Sequence, residues 1–263
     1  MQALKVALVQ GATRWHDPAG NREYYGALLR QAAGSDLVLL PETFTSGFSN
    51  EAIHNAESMD GPTVVWLSEQ ARALDAAITG SVQLRVEGKV YNRLLFATPD
   101  GNVRHYDKRH LFRYAGEHER YAAGSERLIV EWKGWRIFPQ VCYDLRFPAW
   151  IRNRYNRAAQ RFDYDLVLFV ANWPSARRYA WQTLLRARAI ENLCYCAGLN
   201  RVGTDGNNLH YAGDSAVLDF LGAPLVELGA QEQVVSATLD ATALAAHRER
   251  FPAWMDADEF RLA

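Results

Sequence analysis

The chain has 263 residues, 49% hydrophobic and 22% charged, with a formal net charge of −1. That length allows one large domain or two small ones around a sizeable core, and the near-neutral charge disfavours nucleic acid or an anionic membrane as a partner. Three cysteines without paired spacing argue against a disulfide framework; the start lacks a secretory pattern and no apolar run approaches a membrane span, so a cytoplasmic location is expected.

In chain order, Lys5–Gln10 reads as the first strand, followed by a helix with Leu28, Leu29, Ala32 and Ala33 on one face. The strand Leu37–Leu40 comes next. A second helix starts near Gly61-Pro62, a favourable first-turn proline, and carries Val64, Leu67, Ala71 and Leu74 at helical spacing. Two strands, Ala77–Leu84 and Val90–Thr98, flank the turn Glu87-Gly88-Lys89. Val103–Asp107 is a further strand. Leu128–Trp132 and Trp135–Val141 form a hairpin around Lys133-Gly134, and a helix is expected through Trp150, Ile151 and Tyr155. The strand Leu166–Ala171 leads into a long helix, Tyr179–Asn192, and then the strand Leu193–Leu199. A Gly/Asn-rich loop at 203–208 precedes two last strands near Ala216–Phe220 and Val234–Leu239. No linker or low-complexity tract interrupts this pattern, so residues 1–263 read as one domain. Alternating strands and helices with several hairpins imply an α/β fold with mixed sheets. The pattern leaves open a single doubly wound sheet or two sheets packed face to face with helices outside.

Three strands end on chemistry-bearing residues. Leu37–Pro41 runs into Glu42, Val103–Asp107 into Lys108, and Trp135–Val141 into Cys142. At a strand end that opens into a turn, backbone N–H groups are free, and a thiol placed there can meet a ligand with donors ready for an oxyanion. A carboxylate, an ammonium and a thiol are the parts of thiol-based acyl chemistry. Each has a plainer reading: a structural buried cysteine, an exposed strand-end glutamate, a surface lysine beside Arg109 and His110.

Taken together, the segments Leu39–Phe44, Tyr106–Phe112 and Val141–Pro148 resemble the nitrilase or carbon–nitrogen hydrolase superfamily. The resemblance continues through Ala171-Asn172-Trp173-Pro174, Arg186–Asn192 and Gly213-Asp214-Ser215, nearly the whole chain in the family's order. Each motif alone is weak; their order, with intervals of 66 residues from 42 to 108 and 34 from 108 to 142, makes the combined signal strong. The chain is most similar to the bacterial omega-amidase branch, in length, in Arg109–Phe112 and in the ending Phe251–Phe260. The resemblance implies a four-layer αββα sandwich, a Glu-Lys-Cys triad, a small-molecule amide substrate, and a homodimer or higher homo-oligomer. It implies hydrolysis of the terminal amide of small dicarboxylic monoamides such as 2-oxoglutaramate and 2-oxosuccinamate. Another reaction of the superfamily, on aliphatic nitriles or N-carbamoyl compounds, uses the same triad, and a binding protein that keeps the fold is a third possibility.

In this scheme Cys142 attacks the carbonyl, Glu42 is general base, and Lys108 stabilises the oxyanion with the backbone N–H of Tyr143. Glu117 is a fourth catalytic candidate, preferred to Glu119 because the family glutamate falls seven positions before the glycine matching Gly124. Asp144 and Arg146 are expected to shape the turn after Cys142, and Glu191 to pair internally. Trp173 is expected to line the pocket. Arg177 or Arg178 can bind a substrate carboxylate through a bidentate pair, with plain surface placement as the competing reading. Cys194 and Cys196, two apart on a strand, read as core. No cofactor is expected, and no metal: His105, His110 and His118 lack ligand spacing. His110 or His118 as the base of a Cys-His enzyme is a remaining rival.

Overall fold

A computed structural model of the protein describes residues 2–262. Two six-stranded mixed sheets dominate it. The first runs, in spatial order, Gln233–Leu239, Leu4–Gln10, Leu37–Leu39, Ala77–Val86, Lys89–Ala97, Val103–Asp107. The second runs Pro224–Glu227, Ala216–Leu218, Tyr195–Asn200, Leu166–Ala171, Trp135–Val141, Val130–Trp132.

The near-continuous apolar strands follow from burial on both faces. Side chains alternate across a strand. Val6, Leu8, Leu37 and Leu39 point into a core shared with Ile137, Val141 and Leu168 of the other sheet. Their neighbours Ala7, Val9, Val38 and Leu40 point to the opposite side, against Leu28, Leu67 and Ala71 of the helices Pro18–Leu29 and Pro62–Leu74. On the far side, the helix Arg178–Asn192 buries Trp181, Leu185 and Ala189 at helical spacing against the second sheet. The helix Ala241–Arg250 docks beside it, with Arg248 donating to Leu193 O at 2.8 Å and paired with Asp165 at 2.7 Å. The layers are therefore helices, sheet, sheet, helices: the αββα sandwich rather than one doubly wound sheet.

Both predicted hairpin turns form with two left-handed residues each, Glu87-Gly88 and Lys133-Gly134, the geometry that matches strand twist. Other expectations need correction. Ala33 lies outside the first helix and is exposed, because the chain leaves the helix at Leu29 through a short 3₁₀ turn. The helix through Trp150 and Ile151 stops at Ile151, and Tyr155 instead pairs with Phe162 in a two-residue hairpin. The strands His210–Ala212 and Pro224–Glu227 and the helix Ala241–Arg250 have no counterpart among the predicted elements.

The parallel pairings set the site. Leu8 lies opposite Leu39, Val141 opposite Val170, and Ala171 opposite Asn200. The carboxyl ends of these strands therefore lie level within each sheet, where ligands of open α/β sheets commonly bind.

Candidate active site

Glu42 leaves the Leu37–Leu39 strand on a pinned turn. Leu40 N–H donates to Thr79 O at 2.7 Å, and Thr43 N–H to Ser81 Oγ at 2.9 Å. Thr43 takes a left-handed φ of 44°, an unusual conformation for a β-branched residue. These contacts hold the Glu42 carboxylate fully buried, with Oε2 accepting from Asn172 N–H at 2.8 Å.

Lys108 extends the Val103–Asp107 strand by one rung, its N–H donating to Asn92 O at 3.0 Å. Its carbonyl accepts from Gly124 N–H at 3.0 Å. A Cβ at 124 would lie 2.2 Å from Asp107 O, so only glycine permits this approach. The Lys108 side chain is 1% exposed. Its Nζ lies 2.9 Å from Glu42 Oε1 and 3.0 and 2.9 Å from the two oxygens of Glu117. Glu117 opens the four-residue helix Glu117–Arg120, is fully buried, and also accepts from Phe112 N–H. Glu119 turns outward. One ammonium hydrogen shared by the Glu117 oxygens and one given to Glu42 leaves a third for a ligand.

Cys142 follows Val141 with a φ of 45° and opens the 3₁₀ turn Cys142–Arg146. A left-handed non-glycine residue costs roughly 1–3 kcal/mol and persists only when its surroundings hold it. Here the buried Asp144 carboxylate accepts from Val141 N–H at 3.1 Å, Tyr106 OH at 2.9 Å and His110 N–H at 3.0 Å. Arg188 reaches across to donate to Leu145 O at 3.0 and 2.6 Å. The turn presents the Tyr143 N–H at its start, where such groups have no partner within the turn.

Glu42, Lys108 and Cys142 share one pocket of about 200 Å³. Phe112, Tyr114 and Trp173 wall it, and Tyr143, Arg146 and Arg177 also line it. Burial raises the Cys142 thiol well above the ordinary range and the Glu42 charge raises it further, with Lys108 opposing. Burial opposes the Lys108 ammonium, but Glu117 and Glu42 outweigh it and hold the group charged. Burial also raises Glu117, while Lys108 pulls it back. The arrangement is a protonated thiol beside a carboxylate, with a fixed cation and a free N–H nearby. Such a set can support attack on a carbonyl with proton transfer during the attack.

Arg178 pairs with Asp214 at 2.6 Å and does not line the pocket, whereas Arg177 does. Glu191 pairs with Arg188 at 2.8 Å. Cys194 and Cys196 are fully buried in the core. His110 Nδ1 sits 2.7 Å from Asp144 and its ring stacks on Phe147; neither it nor His118 lines the pocket. Among the described residues, no group of three His, Cys, Asp or Glu side chains is placed to hold a metal.

Residues 5–249 match the carbon-nitrogen hydrolase family. The chain belongs to that family. As a carbon–nitrogen hydrolase it is 49% identical over 263 residues, all of both chains, to the omega-amidase YafV of Escherichia coli strain K12. It is 36% identical to the 2-oxoglutaramate amidase of Bacillus subtilis strain 168, covering 86% of each chain. A solved CN-hydrolase superfamily protein from Xanthomonas campestris, which carries an arsenic adduct in its active site, shares 70% identity and a TM-score of 0.98 over both full chains. An amidase from Nesterenkonia, solved as a mutant with acrylamide added to the active-site cysteine, shares 26% identity and a TM-score of 0.80, covering 95% of this chain and 98% of that one. The hydrolase thus acts on carbon–nitrogen bonds and is an amidohydrolase by its relatives.

Several residues of this carbon–nitrogen hydrolase's site escape a reading of the sequence. Asn92 donates to Glu42 Oε1 at 2.8 Å, and Asn172 holds the other oxygen and donates from Nδ2 to Glu42 O at 2.7 Å. Tyr211 and Leu209 complete the pocket from the Gly/Asn-rich loop side. The one signal for Asn92 is an amide just before the apolar run Leu94–Ala97 of the strand Val90–Thr98. For Asn172 it is its place directly after the strand Leu166–Ala171.

Proposed function

We propose that the protein cleaves the terminal amide of a small dicarboxylic monoamide, 2-oxoglutaramate or 2-oxosuccinamate, to the acid and ammonia through a thioester. The observation that carries this is the Lys108 ammonium, 2.9 Å from Glu42 and from Glu117, in the pocket that holds the Cys142 thiol. The omega-amidase and 2-oxoglutaramate amidase relatives support the substrate class.

Cys142 Sγ attacks the amide carbon while its proton passes to Glu42. The oxyanion draws on the third Lys108 N–H and the Tyr143 N–H; losing one such donor typically costs on the order of 10²–10³ in rate. Collapse breaks the C–N bond, and Glu42 returns the proton to the departing nitrogen, which leaves as ammonia. Water then enters, gives a proton to Glu42 and attacks the thioester carbon. A second collapse frees the acid, and the thiolate recovers its proton. The small pocket with aromatic walls suits a short linear substrate, and Arg177 at its lining suits the far carboxylate.

Ammonia release from a panel of monoamides, nitriles and carbamoyl compounds tests the reading. Both named 2-oxo amides should be preferred, and Cys142→Ala should fall to background. Arg177→Ala should raise KM for them roughly tenfold or more, with little effect on neutral amides of equal length. Preference for nitriles or carbamoyl compounds, or full activity in Cys142→Ala, would exclude it.

A further inference from the structure

We propose that Asn92 is a positioning residue of this site, a neutral bridge that holds Glu42 and Glu117 in place while the Lys108 ammonium is shared with the oxyanion. The proposal rests on the roles given above to Glu42 and Lys108.

Asn92 lies in the Lys89–Ala97 strand opposite Gln83 and is 1% exposed. Its Nδ2 is 2.8 Å from Glu42 Oε1 and 3.4 Å from Glu117 Oε1, so its two N–H groups reach two different carboxylates. Its backbone carbonyl accepts from Lys108 N–H. Among the described residues, the buried Asn92 Oδ1 finds no partner. The cost of that orphaned acceptor is outweighed by the alternative: turning the amide over would set its oxygen against both carboxylates, so the nitrogen must face them. Among the described residues, Asn92 is the one uncharged side chain whose amide donates to both acids; Asn172 reaches Glu42 alone.

Charge explains why a bridge is needed. Two carboxylates share a single ammonium, which in the free site contacts three of their oxygens. An oxyanion on the third Lys108 N–H takes a share of that single positive charge, and two close buried carboxylates, then less well neutralised, oppose each other's charge. A charged second donor would compete with Lys108 for the oxyanion's field. An amide holds the acids without doing so.

The test is the pH dependence of Cys142 alkylation by iodoacetamide, a readout that needs no substrate, recorded beside kcat and KM for 2-oxoglutaramate and the thermal midpoint. Asn92→Ala should change the shape of the wild-type pH profile of alkylation and lower kcat about tenfold or more, with KM changed less. Asn92→Asp should do better than Asn92→Ala as pH falls, because a protonated carboxyl keeps one of the amide's two donated bonds, and worse as pH rises, when a third carboxylate is ionised. Variants that keep the wild-type profile and kcat and differ only in thermal midpoint would overturn the proposal. Full turnover in Glu42→Gln would remove the Glu42 role itself, a distinguishable failure that takes the bridge with it.

Discussion

Cys142 is a weak acid in surroundings that weaken it further. Burial and the Glu42 anion both favour the neutral thiol, and Lys108 offsets only part of this. In the proposed mechanism the proton therefore leaves as the bond to carbon forms. Glu42 would then have two effects of opposite sign: its charge disfavours the free thiolate, and it would accept the proton in the transition state. Glu42→Gln separates them. Removing the anion leaves the Lys108 cation less opposed, so the thiol should titrate lower than in the wild type, followed by thiolate ultraviolet absorbance. Turnover should nonetheless fall by about 10²–10⁴, the usual worth of a general base. A thiol pKa that rises in Glu42→Gln would contradict this account of the site's field.

At the scale of elements, the strand ends bring Glu42, Lys108 and Cys142 to one pocket because their backbones are clamped. Gly124 shows how tightly. It packs where a Cβ would sit 2.2 Å from Asp107 O and 2.8 Å from Asp107 Cβ, and its N–H holds Lys108 O. Gly124→Ala must push the end of the Val103–Asp107 strand aside. Overpacking of this kind costs about 1–3 kcal/mol, and a displacement near ~1 Å can cost on the order of 10² in rate. The variant should lose kcat well beyond its loss of thermal midpoint; unchanged kcat would show that the strand end can yield. The sequence carries this element logic well wherever local pattern and burial agree. Alternation and Gly-containing turns mark the sheet strands Ala77–Val86, Lys89–Ala97 and Trp135–Val141 to within two residues. It fails where tertiary contact overrides pattern. Pro224–Glu227 is largely exposed at a sheet edge and has no apolar period to see. Ala241–Arg250 is short and polar, and docks through Leu244 and the arginine Arg248. In the site, the ionisable side chains are legible because their chemistry is conspicuous. Asn92 and Asn172 are not, because an amide announces no role until its partners converge from strands far apart in the chain.

At the scale of the whole molecule, the buried interior traps protons. Cys194 is pushed up to about 12 by burial, and Cys196 is also raised well above its usual range by burial. Burial likewise raises the phenols of Tyr25, Tyr106, Tyr164 and Tyr211. Each folded pKa lies above its unfolded value, so these groups contribute stability that is intact below the unfolded pKa and lost as pH rises toward the folded one. The unfolded chain begins releasing thiol protons near pH ~8.5 and phenol protons near ~10. Above those points the folded state holds more protons, and stability falls by about 1.4 kcal/mol per pH unit for each group fully released on unfolding. Four buried phenols acting together make the slope steep. The thermal midpoint should therefore begin to fall near pH ~9 and drop sharply beyond about pH 10, before Lys108, itself raised by Glu117 and Glu42 against its burial, gives up its charge. Loss of activity on the alkaline side should then follow loss of structure, seen as coincident transitions by circular dichroism and ammonia release. A midpoint that stays level through about pH 11 would mean that these phenols reach solvent without unfolding, and that the core is more open than its packing implies.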